Sequence, residues 1–112
     1  IFLFLHYLYN HLEVNMNNKY KKILDIIYSS IIEVNKQQPP EYTIRAHKDE
    51  FLISEESSID SLGLITLLIN IEDKIQNEFN KKLDLVEEKL ISDENSPFKT
   101  VDGLAKWLEN NV

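Results

Sequence analysis

The chain contains no cysteine. Disulfides, thiolate catalysis and Cys-based metal sites are therefore excluded, and a reducing cytoplasm is compatible with that composition. Glycine occurs twice and proline three times, too few for an all-β chain that needs many tight turns. Positive charge is also short: 12 Lys and Arg stand against 19 Asp and Glu, a formal net charge of −7. Such a surface repels a phosphate backbone and favours basic partner patches, so nucleic acid is not an expected ligand. No apolar run reaches the ~20 residues of a membrane span. Catalytic motifs are missing as well, for the chain has no Gly-rich phosphate loop, GxSxG elbow or HExxH. His6 and His11 lie five apart, which is not the one-face spacing of a helical metal pair, and His47 has no evident nucleophile or carboxylate constellation. An enzyme and a metal site are therefore not expected. What is present, in 112 residues, is 43% hydrophobic and 28% charged, the balance of one globular domain with a modest core.

The most informative stretch runs from Ile59 to Phe79. Leu62, Ile65, Leu68, Ile69, Ile71, Ile75 and Phe79 recur at mixed three- and four-residue steps, which is helical periodicity. Thr66, Asn70, Asp73, Lys74, Gln76 and Asn77 fill the other side, and no Gly or Pro follows Gly63 to interrupt the run. Asp60 and Ser61 are both good N-cap types, placed just before the first periodic residue. A hydroxyl held there carries a phosphate ester well, because free N–H groups and the helix dipole favour negative charge at that end.

In chain order, residues 1–15 (IFLFLHYLYNHLEVN) differ from the rest of the chain, and the single Met is Met16. They lack the basic start and small-residue cleavage site of a secretory signal. They are expected to lie upstream of the native start, giving a natural protein of Met16–Val112, with an added amphipathic helix as the alternative. Asn17 or Asn18 is expected to cap a first helix through about Asn35, with Tyr20, Ile23, Leu24, Ile27, Ile31 and Val34 as its apolar stripe. Pro39-Pro40 forbids continuation. A long connection to Ser58 comes next, with Phe51, Leu52 and Ile53 expected to anchor it to the core. Asn80-Lys81-Lys82 reads as a turn, Asp84–Leu90 as a short helix and Ser92–Pro97 as a loop. Thr100 is expected to cap a last helix, Val101–Asn110, with Val101, Leu104, Ala105, Trp107 and Leu108 inward. The fold class is all-α: a small four-helix bundle of three longer helices and one short one, with a long loop between the first two.

Asp60-Ser61-Leu62 opening a long apolar helix resembles the modification motif of acyl carrier proteins. Leu52-Ile53 ahead of it is similar to the apolar pair those proteins place before their motif. Pro97-Phe98-Lys99-Thr100-Val101 resembles their C-terminal segment, and the likeness covers Met16 to Val112. The resemblance implies that Ser61 attacks the pyrophosphate of coenzyme A within a phosphopantetheinyl transferase and takes a 4′-phosphopantetheine arm as a phosphodiester. The arm's thiol then holds an acyl group as a thioester for partner enzymes, an acyl-loading ligase or a synthase or transferase. It further implies that Asp60, Leu62, Ile69, Glu72 and Asp73 meet those partners, through electrostatics that set encounter rate and partner choice. Gly63 and Thr66 stand where many fatty-acid-synthesis carriers have acids, and Ser57-Ser58 where a glycine is usual. The first connection carries Arg45, His47 and Lys48. Such departures suit a specialised lipid or secondary-metabolite pathway better than housekeeping fatty-acid synthesis.

Plainer roles exist for each residue. Ser61 also reads as an N-cap worth ~1 kcal/mol. Leu62 and Ile69 also read as core. Glu72 and Asp73, like the run Asp84, Glu87, Glu88, Asp93 and Glu94, also read as a solvated face. Ser54, Ser57 and Ser58 lack a preceding Asp. The alternative function from another class is an unmodified helical protein-interaction module, with a hydrolase a distant third. Nothing in the pattern requires a dimer, and a monomer is expected.

Overall fold

The first 38 residues contain neither Gly nor Pro, so nothing in them stops a helix. In the computed structural model, which describes residues 1–87, 90–91 and 95–112 (side chains of 10–17 excepted), one helix fills this stretch: α1, Phe2–Asn35. The expected start at Asn17 or Asn18 is not a start. An Asn caps a helix only where the preceding backbone leaves helical geometry, and here the backbone is helical on both sides. Two weaker turn bonds, Gln37 N–H to Val34 O and Gln38 N–H to Asn35 O, lead into Pro39-Pro40.

Among the described residues the regular elements are α1, a single-turn 3-10 helix Pro40–Tyr42, α2 (Ser61–Phe79) and α3 (Val101–Asn111), with no strand. The fold is an all-helical bundle. Both later helices open alike. The side chain of Asp60 accepts from Gly63 N–H at 2.8 Å, and that of Thr100 from Gly103 N–H at 3.0 Å. Each cap satisfies one of the orphan donors of a first turn. Asn80 closes α2 in the left-handed region (φ 53°, ψ 40°), donating to Gln76 O, a position an asparagine tolerates. Among the described residues, the short helix expected over Asp84–Leu90 is helical only at Leu90. Asp84 to Glu87 carry no helix, Leu90 and Ile91 are helical, and residues 88, 89 and 92–94 lie outside the described residues. Asp84 instead turns the chain, its carboxylate accepting from Val86 N–H.

α1 and α2 run antiparallel, since Lys22 meets Glu78 and Lys74 meets Glu33. α3 lies across α1, its first turn reached by Tyr20 and the C-terminal residue by Lys19. Ile23, Ile27, Ile31 and Val34 of α1 are buried against Leu67, Leu68, Ile71 and Ile75 of α2 and Val101, Leu104, Ala105 and Leu108 of α3. The expected inward residues of α1 and α3 thus form the core, with Tyr20, Leu24 and Trp107 partly buried at its edge.

The long connection is pinned rather than loose. The Asn35 amide clamps the backbone of Ile44, donating to its carbonyl at 2.7 Å and accepting from its N–H at 3.1 Å. Further on, Leu52 N–H donates to Lys99 O, Val101 N–H to Glu50 O and Asp102 N–H to Lys48 O. Leu52 is buried there, as an anchor should be, with Phe51 and Ile53 partly buried beside it. Arg45 donates from its backbone N–H and its guanidinium to Glu50. Burial raises the Glu50 carboxyl, but these bonds outweigh it and hold the group below its ordinary range.

Tyr20 donates to the Asp102 carboxylate, which Lys106 also approaches at 3.1 Å. The Tyr20 bond, set against burial and aided by Lys106, holds Asp102 below the usual carboxylate range. Burial first, and then the same bond, lifts the Tyr20 phenol above its ordinary value. A lowered folded-state pKa means stability present above the unfolded value and lost as pH falls through the folded one. The window is therefore acid, opening below about pH 4. Asp102→Asn is expected to flatten the fall in urea stability between neutral and acid pH. Equal slopes for the two proteins would show that the carboxylate contributes nothing there.

Candidate functional site

The loop that ends at Ile59 delivers Asp60 in extended geometry (φ −83°, ψ 175°), and α2 begins at Ser61. Two residue types compete for the cap, and Asp60 takes it through the 2.8 Å bond to Gly63 N–H. Its carbonyl also accepts from Leu64 N–H at 2.9 Å. Ser61 is thereby left at the first helical position, exposed, with its hydroxyl outside the cap and without a hydrogen bond among the described residues. The N–H groups of Ser61 and Leu62, at the first two positions, have no intrahelical acceptor and sit at the positive end of a 19-residue helix. An anionic ester on Ser61 Oγ suits that surrounding.

Of the other serines of the connection, Ser54 and Ser57 are engaged locally, and Ser58 is exposed. Ser54 Oγ accepts from Glu56 N–H at 2.9 Å and Ser57 Oγ from Ile59 N–H at 3.3 Å. His47 Nδ1 accepts from Asp49 N–H. Each of these three side chains closes a turn.

Gly63 is buried. A Cβ there would stand 2.9 Å from Ile59 Cγ1, 3.0 Å from Asp60 Oδ1 and 3.1 Å from Gln38 Nε2. An acidic side chain has no room at that position, so the glycine serves close packing beneath the cap. Thr66 is partly buried and turns its hydroxyl back onto Leu62 O at 2.9 Å.

The outer face of α2 is apolar. Leu62 (70% exposed), Ile65 (37%) and Ile69 (44%) face solvent, and with Thr66 and exposed Asp73 they recur at the three- and four-residue steps of one face. Ile65 was expected in the buried stripe, as were Leu62 and Ile69 under their plainer role. Leu67, absent from that stripe, is buried in their place. The reason is that α2 carries apolar residues around most of its circumference, so its own periodicity leaves open which side meets α1. Glu72 is partly buried, and its carboxylate accepts from Leu85 N–H at 2.6 Å, which holds the segment after α2 against the helix. The structure thus brings Asp60, Ser61, Leu62, Ile69 and Asp73 onto the exposed side of α2 and turns Glu72 to an internal task. Of the acidic run, Asp84 and Glu87 are exposed, while Glu88, Asp93 and Glu94 lie outside the described residues.

No protein-family model, curated protein or solved structure matches the chain, so the reading of its function stands on these residues.

Proposed function

We propose that the chain is an acyl carrier protein, with Ser61 the attachment point of a 4′-phosphopantetheine arm. The observation that carries this reading is the division of labour at the start of α2. Asp60 caps the helix, which leaves Ser61 exposed, first in the helix and free of a side-chain hydrogen bond among the described residues. The unsatisfied N–H groups beside it favour the phosphodiester that Ser61 Oγ forms as coenzyme A loses its nucleotide portion in a transferase. When bound, the arm supplies the thiol that the cysteine-free chain lacks and holds acyl cargo as a thioester. Leu62, Ile65 and Ile69 offer apolar contact next to the attachment point, and Asp60 and Asp73 offer charge to a basic partner surface. The partners are then a phosphopantetheinyl transferase and the enzymes that load or process the acyl group, and catalysis belongs to them. The same exposed apolar face supports a second reading, an interaction module that needs no prosthetic group.

The test is the intact mass of the full chain after incubation with coenzyme A, Mg²⁺ and a broad-specificity phosphopantetheinyl transferase. A single adduct mapping to Ser61 is expected, and none on Ser61→Ala. Ser61→Ala should keep its stability to within about 0.5 kcal/mol, as a surface substitution does. Asp60→Ala should instead lose about 1 kcal/mol with the cap. Folded protein that takes no adduct from several transferases would leave the interaction module as the function.

A further inference from the structure

The first turns of α1 expose apolar side chains all round the helix. No charged side chain stands among residues 1–12, and Phe2, Leu3, Phe4, Leu5, Tyr7 and Tyr9 are 57–91% exposed. Successive residues point about 100° apart, so these six surround the helix. A helix apolar all round is normally enclosed by a core or by lipid, and here it projects from the bundle. A second feature lies at the same end. Lys19, Lys21 and Lys22 of α1 meet the C-terminal end of α2, where Lys81 and Lys82 follow. Five of the twelve cations of an acidic chain therefore gather at this end. Asp25 and Glu78 share it, Glu78 paired with Lys22 at 3.4 Å, and Val112 O accepts from Lys19 at 3.0 Å, so lysines still outnumber the acids there. Lys19, Lys21, Lys22 and Phe79 line an open cleft of about 630 Å³.

An apolar tip above a ring of lysines matches one partner in both respects. A second copy of this acidic chain brings carboxylates for the lysines but covers only one side of the tip. An anionic bilayer surrounds the tip with hydrocarbon and places phosphates at the lysines. Among the described residues no helix is long and apolar enough to cross a membrane. We propose that this end of the molecule docks on an anionic phospholipid surface, the exposed apolar side chains of the tip of α1 entering the hydrocarbon and the lysine cluster facing the lipid phosphates. The docking is independent of Ser61, which stands at the start of α2, the opposite end of that helix from the lysines.

The test is co-sedimentation of the full chain with vesicles of phosphatidylcholine alone and of phosphatidylcholine mixed with phosphatidylserine. Strong binding to the mixed vesicles, weakened by salt, is expected, with weaker binding to the neutral ones. Leu3→Glu with Leu5→Glu should abolish it. Lys21→Gln, Lys81→Gln and Lys82→Gln together should weaken it roughly a hundredfold, at about fivefold for each lysine. All five side chains are exposed, and circular dichroism checks that the variants remain folded. Absence of binding by the native chain, or equal binding by either variant, overturns the proposal. A dimer in solution that Leu3→Glu dissociates, without vesicle binding, also overturns it and assigns the tip to a second copy.

Discussion

Replacing Phe98 by alanine is expected to cost about 3–5 kcal/mol, the range for emptying a buried aromatic site. Phe98 is among the largest fully buried side chains. Its ring meets Trp107 edge to face at 5.3 Å between centroids and 86° between planes, a geometry that adds about 1 kcal/mol beyond burial. The backbone around it leaves little room to collapse. Phe98 N–H donates to buried Ser96 Oγ at 3.1 Å, and that hydroxyl donates in turn to Leu90 O. One residue on, Lys99 O accepts from Leu52 and Ile53. A void at Phe98 is therefore framed by a fixed backbone, and the cost falls at the upper end of the range. For a chain of this length the midpoint of thermal unfolding should drop by on the order of 10–20 °C. A loss below about 1 kcal/mol in urea titration would mean that Trp107 swings in to fill the space.

Gly103→Ala is expected to be the most costly of the small substitutions, at about 2–3 kcal/mol, because overpacking against fixed atoms displaces backbone. A Cβ at Gly103 would stand 2.4 Å from the Pro97 carbonyl oxygen and 3.3 Å from the Thr100 hydroxyl that caps the helix. Neither neighbour is free to yield. Pro97 opens the turn that carries Phe98, and Thr100 is bonded to Gly103 itself. Gly63 supplies the control, since it holds the same third position in α2 under the same type of cap. The three nearest atoms facing it all belong to side chains, Ile59 Cγ1 at 2.9 Å, the capping Asp60 Oδ1 at 3.0 Å and Gln38 Nε2 at 3.1 Å, and none to backbone. These shift at small cost, and alanine regains up to about 1 kcal/mol of helix propensity over glycine. Gly63→Ala should thus fall within about 1 kcal/mol of the native protein. Equal losses at the two glycines in urea titration would refute the distinction between yielding side chains and unyielding backbone.

The candidate site was legible where local chemistry decides. Asp60 and Ser61 are both cap types, and the order Asp-Ser before a helix allows one to cap and the other to stand first in the helix; only the placement of Asp60 against Gly63 N–H shows which does which. Glu72 was legible as an acid on a helix but not as the acceptor for Leu85 N–H, thirteen residues on, because that bond depends on how the segment after α2 returns. Ile65 was misplaced for the same kind of reason. The pair Leu52-Ile53 and the segment Lys99-Thr100 each stand out in the sequence, yet their pairing with one another, through Lys99 O and the Phe51–Thr100 bridge, is a long-range event.

The amino-acid sequence by itself determined the helical class, the ends of α2 and the start of α3. It also determined the inward stripes of α1 and α3. These rest on interactions within a few residues: a cap bond, a proline without an N–H, a left-handed asparagine, a 3.6-residue repeat. Tertiary structure decided the rest. It chose which apolar residues in the first half of α2 meet the rest of the bundle, leaving Leu62, Ile65 and Ile69 outside. It gave Glu72 a partner and set Gly103 against Pro97. Where a helix carries apolar residues on most of its faces, periodicity has no preferred direction, and the neighbour that arrives supplies it.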